Sequence, residues 1–130
     1  MARFSFKWLT VFAAFSLLSI AALAQTTGPA AQMSLGVTPT TVSAGSTVTV
    51  FGSITNTSSK MEKVTINYDV TGPCNYLDTY SLKVTLKAGE TRTASHSYTS
   101  PACAGDYTIT ATATSGGAVL DIKSATFTVQ

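Results

Sequence analysis

The stretch that decides the fold is KVTINYDVT, residues 63–71. Its apolar side chains recur at every second position, as Val64, Ile66, Tyr68 and Val70, with polar residues between them. Successive side chains of a β-strand point to opposite faces, so this alternation predicts a strand with one buried and one solvated face. Strands of this kind are typical of antiparallel sheets.

The same alternation continues in both directions, and no window after residue 32 has the spacing of an amphipathic helix. Turn signals interrupt it every eight to twelve residues or so, which is the spacing of a small all-β domain. We therefore predict an all-β fold, a seven-stranded antiparallel immunoglobulin-like β-sandwich. A small closed barrel is the alternative that the same pattern permits. The predicted strands cover 33–37, 47–55, 63–71, 80–86, 91–99, 107–114 and 119–129.

The last predicted strand changes phase along its length. Leu120 and Ile122 occupy even positions, whereas Phe127 and Val129 occupy odd positions. A β-bulge adds one residue to one strand of a pair and would reconcile the two halves. We expect that bulge near Lys123–Ser124.

Residues 1–24 have the pattern of a secretory signal peptide. Arg3 and Lys7 precede an apolar run over 8–24, which ends in the small-residue cleavage signal of Ala22 and Ala24. A membrane anchor is the alternative, but the run is somewhat shorter than the roughly 20 residues that a span requires. We expect a flexible lead at 25–32, a sandwich domain at 33–130, and a secreted or periplasmic location at a bacterial envelope with no stable membrane insertion after cleavage.

The charge balance bears on the choice of partner. The chain of 130 residues carries 8 Lys and Arg against 6 Asp and Glu, a net charge of +2. Removing Arg3 and Lys7 with the signal leaves six basic residues (8 − 2) against six acidic ones. A neutral domain without a basic cluster is not suited to nucleic acid, so we expect no nucleic-acid partner.

The sequence offers little for catalysis or metal binding. Its single histidine, His96, lies in a predicted strand with Arg92 nearby, which suggests an edge strand and a structural or solvent-exposed role. The acidic residues are scattered, and they form no metal-binding loop. We therefore expect no catalytic residues, no metal site and no cofactor, and we expect that the protein is not an enzyme.

The two cysteines, Cys74 and Cys103, both lie in the exported part of the chain. An even pair in a small exported domain predicts a disulfide. Cys74 follows the third predicted strand and Cys103 precedes the sixth. In an immunoglobulin topology these loops emerge at one end, so the bridge should tie one pole of the sandwich.

Several short segments resemble those of a known family. They are Val37–Gly45, the strand over 48–57 that ends in Ile54-Thr55-Asn56-Thr57, Leu86–Glu90, and Ala104–Ala111. Together they resemble the bacterial immunoglobulin-like, adhesion-related modules known as the CARDB family. The resemblance implies a non-catalytic exported sandwich, and in such sandwiches Tyr107 would cap a corner by bonding back to the backbone. Ser115–Ala118 replaces the Asp/Asn-rich stretch of such modules, so the resemblance does not extend to cation binding there.

Two functions are compatible with this sequence. The first is an exported interaction module that binds a protein or glycan partner through loops at the pole opposite the disulfide, or through an exposed sheet edge. The second is a structural envelope or pilus-like subunit that assembles through strand edges. The threonines at 108, 110, 112 and 114 could form a binding face, although threonine also simply suits strands. The candidate binding loops contain Asn56, Thr57, Ser58, Ser59, Lys60 and Met61, and Ser115, Gly116, Gly117 and Ala118.

Overall fold

A computed structural model describes residues 30–130, and within this range the chain is all β with no helix. No helix that could cross a membrane is found among these residues. The predicted signal peptide, and the lead as far as residue 29, lie outside the described residues. The strands are β1 Ala31–Thr38, β2 Thr41–Val42, β3 Thr47–Asn56, β4 Glu62–Gly72, β5 Tyr76–Leu86, β6 Thr91–Thr99, β7 Gly105–Ser115 and β8 Ala118–Val129.

The strands form two sheets, with the orders β1-β3-β6 and β2-β8-β7-β4-β5. The two-sheet sandwich is confirmed, but the prediction of seven antiparallel strands is wrong in two respects. Residues 30–130 form eight strands, and β2 runs parallel to β8. After Pro39 the chain leaves the first sheet, and the two residues Thr41 and Val42 pair with the end of β8 in the second. A strand of two residues carries no alternation that a sequence pattern could detect.

The first strand begins at Ala31, two residues inside the segment expected to be a flexible lead. Ala31 is fully buried, because its short side chain packs into the core beside Ile54 and Leu86. The backbone of Ala30 also accepts a hydrogen bond from the amide of Thr57 at 2.9 Å. The sandwich therefore begins earlier than predicted, because Ala31 and Gln32 are too weakly hydrophobic to form a recognisable strand pattern in the sequence.

The predicted bulge in the last strand is present, but its position is wrong. Ala113 pairs with Asp121 and Thr114 pairs with Val119, so the unpaired residue is Leu120 and not Lys123 or Ser124. As a result Leu120 packs against the core, whereas Ile122 points outward and is 53% exposed. Asp121 turns inward instead, where its carboxylate accepts a hydrogen bond from the Met33 amide at 2.8 Å.

The core consists of two clusters stacked along the length of the sandwich. The cluster near the disulfide is built around Tyr107 and Phe127, whose rings stack 5.3 Å apart. The other cluster is aliphatic and is built around Leu86 and Ile66. Leu35 and Tyr68 pack against both clusters and are only partly buried, so they join the two clusters at the middle of the sandwich.

The disulfide pole is held by both covalent and polar contacts. Cys74, in the β4–β5 turn, is bonded to Cys103, in the β6–β7 loop, as the sequence predicts. The Tyr107 hydroxyl donates to the Cys103 carbonyl at 2.7 Å, which is the bond of a tyrosine corner. A Cβ at Gly72 would lie 2.3 Å from the Tyr107 ring, so only glycine allows this ring to pack against β4.

Candidate functional site

The two predicted binding loops lie at the same pole, opposite the disulfide. The Ser115 hydroxyl donates to the Glu62 carboxylate at 3.1 Å, which joins the β7–β8 turn to the start of β4. Met61 is 61% exposed, and Gly116, Gly117 and Ala118 are exposed as well. The structure therefore brings these two loops together.

Asn56 is not available for binding, which corrects its assignment as a binding residue. Its side chain is fully buried and bonded at both ends. The two N–H groups of the amide are shared among the carbonyls of Lys60, Leu86 and Lys87, at N···O distances of 2.8–3.1 Å, and the amide oxygen accepts from the Ser58 amide and hydroxyl at 2.9 and 2.7 Å. Asn56-Thr57-Ser58 has the pattern of an N-glycosylation site, but the enclosed nitrogen is not accessible to modification in the folded domain. Asn56 instead joins the β3–β4 loop to the β5–β6 turn.

The two sheets are open along one side of the sandwich, between β5 and β6. Each of these strands is the last in its sheet, and no ladder of hydrogen bonds joins them. Between them runs a mainly apolar groove, here called the inter-sheet groove, which holds two cavities of about 60 and 280 Å³. Its walls are residues 78–84 of β5 and 92–98 of β6, and its floor is formed by Val50, Ile54, Ile66, Tyr68, Ile109 and Ala111.

Small residues explain why the two sheets do not close on this side. Gly52 of β3 pairs with Ala94 of β6, on the register positions that face the interior. A Cβ at Gly52 would lie 2.5 Å from the Ser34 carbonyl oxygen, so no larger side chain can fill the space. Every residue of β6 is exposed except the half-buried Tyr98. The buried apolar residues of β3 thus lie beside a strand, β6, that contributes few apolar side chains to the core.

Two side-chain contacts cross the groove. The His96 ring stacks on Tyr80 with centroids 5.0 Å apart and planes 11° apart. Nearer the loop pole, the Arg92 guanidinium donates to the Thr85 carbonyl at 3.3 Å and forms an ion pair with Glu90 at 2.9 Å. Asp78 and Lys83 line the groove, and neither belongs to an ion pair among residues 30–130. The sequence indicated an edge position for the His96 strand, and this is confirmed.

Tyr98 brings a polar group to the inner end of the groove. Its hydroxyl is enclosed and has no hydrogen-bond partner within the described part of the chain. Burial, with smaller contributions from Tyr76 and Asp78, raises the pKa of Tyr98 to about 12. Burial also raises the pKa values of Tyr68 and Tyr76.

We therefore expect stability to fall as the pH rises from about 10 to about 12. In this window the Tyr98 phenol keeps its proton in the folded state and loses it in the unfolded state, where its pKa is near the ordinary value of 10. Tyr98→Phe should make the decline shallower, and Tyr68 and Tyr76 should account for what remains. Urea unfolding at several pH values between 8 and 12 measures this. An equally steep decline in the variant would contradict the assignment.

The outward threonines differ between the two sheets. On the β1-β3-β6 face, hydroxyls pair across strands at 2.7 Å, as Thr49 does with Ser97 and Thr55 with Thr91. On the β7 face, Thr108 lies opposite Thr126, and Thr110 opposite Ser124, but no side-chain hydrogen bond joins these pairs. The threonine face is thus present as predicted from the alternation, although its hydroxyls are not organised by contacts with one another.

The described residues contain no group of three or more His, Cys, Asp or Glu side chains that could hold a metal ion. The single histidine packs between two aromatic rings, since His96 also lies 6.1 Å from Tyr98. The sequence indicates an edge strand for His96 but does not indicate the groove. The only signal for it was the shortage of apolar side chains on β6.

Comparisons with known proteins identify the fold. No protein-family model and no curated protein match the chain. Among solved structures it is similar to a CARDB domain from Pyrococcus furiosus in complex with di-metal ions, with a TM-score of 0.60 and 14% identity, over 80% of this chain and 97% of that one. It also matches E. coli alpha-2-macroglobulin (TM-score 0.63, 22% identity, 78% of this chain and 7% of that one). A third similar structure is the alkylpurine DNA glycosylase AlkC of Pseudomonas fluorescens bound to DNA containing an abasic site analog. It has a TM-score of 0.61 and 15% identity, over 79% of this chain and 31% of that one.

These similarities define a class of fold. The chain has a CARDB-like β-sandwich fold, shared with immunoglobulin-like modules. It spans less than a third of the AlkC and macroglobulin chains but almost all of the CARDB domain. At these identities the likeness concerns the fold alone.

Proposed function

We propose that this protein is an exported, non-catalytic immunoglobulin-like module that binds a protein or glycan partner at the bacterial cell envelope. The observation that carries the proposal is the inter-sheet groove, an apolar channel with a free strand edge on each wall. Concave apolar surfaces with a few polar groups are the usual form of a binding site. The disulfide supports an oxidising compartment, because such bonds persist mainly outside the cytosol.

We expect the partner to contact the inter-sheet groove and not the loops at the pole opposite the disulfide. Asn56 has a structural role, and the cavities of about 60 and 280 Å³ lie in the groove and not at the loop pole. Groove residues, in contrast, combine exposed aromatic rings with an open floor, since Tyr80 is 44% exposed above the core residues Ile66 and Ile109. Aromatic side chains of this kind are frequent anchors in interfaces.

A variant that fills the groove should abolish partner binding. Ala94 is exposed and lines both cavities, so Ala94→Trp would block them without disturbing a buried side chain. The full-length chain is produced in an exporting host, and intact mass reports whether cleavage follows Ala24. We expect the wild type to retain an envelope protein or polysaccharide, and the variant to retain at least about tenfold less.

Two controls make this test specific. Lys60→Ala with Met61→Ala alters the exposed loop pole and should leave retention unchanged. Leu82→Trp, on the opposite wall, should reduce retention as Ala94→Trp does. Thermal unfolding of both variants shows whether either one is misfolded. If the loop variant lost the partner and both groove variants kept it, the groove would be the wrong surface. If the wild type retained nothing from either fraction, the proposed function would fail.

The alternative is a structural envelope or pilus-like subunit that assembles through strand edges. The free edges of β5 and β6 favour it, because unpaired strands can add to one another. This alternative predicts multimers that grow with concentration in sedimentation velocity. A monomer at millimolar concentration would exclude it and leave the binding module.

A further inference from the structure

The four strands at the edges of the two sheets are not equally protected against pairing with another chain. An unprotected edge offers a row of free amides and carbonyls, and natural proteins cover or charge such edges. β1 is covered on its free side by β8, since Asp121 of β8 binds the Met33 amide. β2, which forms one edge of the second sheet, consists of only two residues. β5 carries Asp78 on its inward face, and a charge there opposes addition of a strand.

β6 has none of these protections along most of its length. Its pairing with β3 is continuous from Thr91 to Thr99, with no bulge, and its sequence TRTASHSYT contains no proline or lysine. The one charge, on Arg92, lies at its start and is neutralised by Glu90. β5 belongs to the second sheet, and the short Lys87–Glu90 turn leads from it directly to β6 in the first sheet. Because no strand lies between them in the sequence, no further strand of the described chain pairs with the free edge of β6. Constant-type immunoglobulin sheets have a fourth strand, D, in the position beside this one.

The groove beside β6 has the length of a short extended peptide. Its β6 wall comprises residues 92–98, seven positions, and alternate side chains of an added strand would point into it. The smaller cavity, which the Tyr80–His96 contact lines, extends to Tyr98, and the larger one extends to Arg92; Leu82 and Ala94 line both. Asp78 lines the smaller cavity, on the inward register position opposite Val70, and it has no ion-pair partner within residues 30–130. The groove therefore carries an unpaired carboxylate at its Tyr98 end.

We propose that β6 pairs in antiparallel fashion with an extended segment of a partner polypeptide whose alternate apolar side chains fill the inter-sheet groove. This inference rests on the proposed function and names its ligand class. An antiparallel strand enters at the Asp78 end, so the segment carries a basic residue first, then a small apolar residue for the 60 Å³ cavity and a larger one for the 280 Å³ cavity. Main-chain hydrogen bonds to β6 supply affinity, and the alternate side chains supply specificity.

The test uses defined peptides and the exported full-length protein. The probes are seven-residue peptides with threonine at alternate positions, small or large apolar residues between them, and a lysine at either the first or the last position. We expect the lysine-first, small-then-large peptides to shift the β6 amide resonances in NMR spectra. Moving the lysine to the last position, or exchanging the two apolar sizes, should weaken binding by about tenfold.

N-methylation separates strand pairing from simple hydrophobic contact. Only every second amide of an added strand faces β6, so methyl groups on one set of alternate amides should reduce affinity at least tenfold, and those on the other set should have little effect. Ala94→Trp should abolish the shifts, and the Lys60→Ala, Met61→Ala variant should preserve them. Equal effects of the two methylation sets, shifts confined to the loops, or no β6 shift with any peptide at millimolar concentration would overturn the inference.

The outcomes also distinguish this inference from the broader proposal. If no peptide binds but an envelope protein or polysaccharide is still retained in a groove-dependent manner, strand pairing is wrong and the interaction module stands. If the β6 amides shift with protein concentration alone, the occupant is a second copy of this chain. If neither peptides nor envelope fractions bind, both proposals fail.

Discussion

Replacement of Asn56 with aspartate should lower the free energy of unfolding by about 3–5 kcal/mol, enough to remove a large part of the stability of a domain of this size. The two N–H groups of the Asn56 amide are shared among three backbone carbonyls. In the variant an oxygen would face those three acceptors, and a buried carboxylate would lack any compensating cation. No rotamer restores the donors, since the other side-chain oxygen already accepts from Ser58.

Urea unfolding followed by circular dichroism measures this effect, and Asn67→Asp is the matched control. Asn67 is exposed on β4 and accepts a hydrogen bond from the Ser81 hydroxyl, which a carboxylate also accepts. The control should change stability by less than about 0.5 kcal/mol. Equal stabilities of the two variants would mean that Asn56 does not join the loops in solution, and would reopen its assignment as a surface binding residue.

Loss of the Cys74–Cys103 bond should cost about 3.5 kcal/mol in stability. The bond joins residues 29 positions apart, and opening a loop of this length restores chain entropy to the unfolded state. For a domain of this size the melting temperature should fall on the order of 15–25 °C. The double variant Cys74→Ser, Cys103→Ser should show this in calorimetry.

Reduction of the wild type provides the matched comparison, because it opens the same loop with the native sequence unchanged. The reduced protein and the double serine variant should melt together, and reductant should not affect the variant. The Tyr107 hydroxyl bonds the carbonyl of Cys103, so the corner near the opened bond should remain partly anchored. A loss below about 1 kcal/mol in both would show that the folded loops, and not the bond, hold this pole.

The fold was largely predictable because alternation reports which face of a strand is buried. β4 shows this best, since Val64, Ile66 and Val70 are buried in the positions that the pattern assigns to the core. The prediction failed where the pattern is weak. β2 is too short for a period, and the bulge at Leu120 was misplaced because the mixed residues after it, Asp121 and Ile122, suggest the wrong inward face.

The candidate site was less predictable, because it depends on which strands are neighbours. Ala94 and Leu82 both line the groove, yet they lie on different strands of different sheets, with no spacing that relates them. Asn56 shows the opposite error. Its Asn-Thr-Ser-Ser context is typical of an exposed turn, whereas the folded chain encloses its amide between two loops.

The sequence by itself determined the class of fold and the pairing of its cysteines, and it supports export as a prediction. Each of these depends on local information: the period of a strand, the count of thiols, the composition of a leader. Only the tertiary structure decided that the sheets part between β5 and β6, that β6 has an unprotected edge, and that Asn56 is structural. These features arise from the packing of distant segments, where a glycine on one strand and an alanine on the next leave space that no neighbour fills.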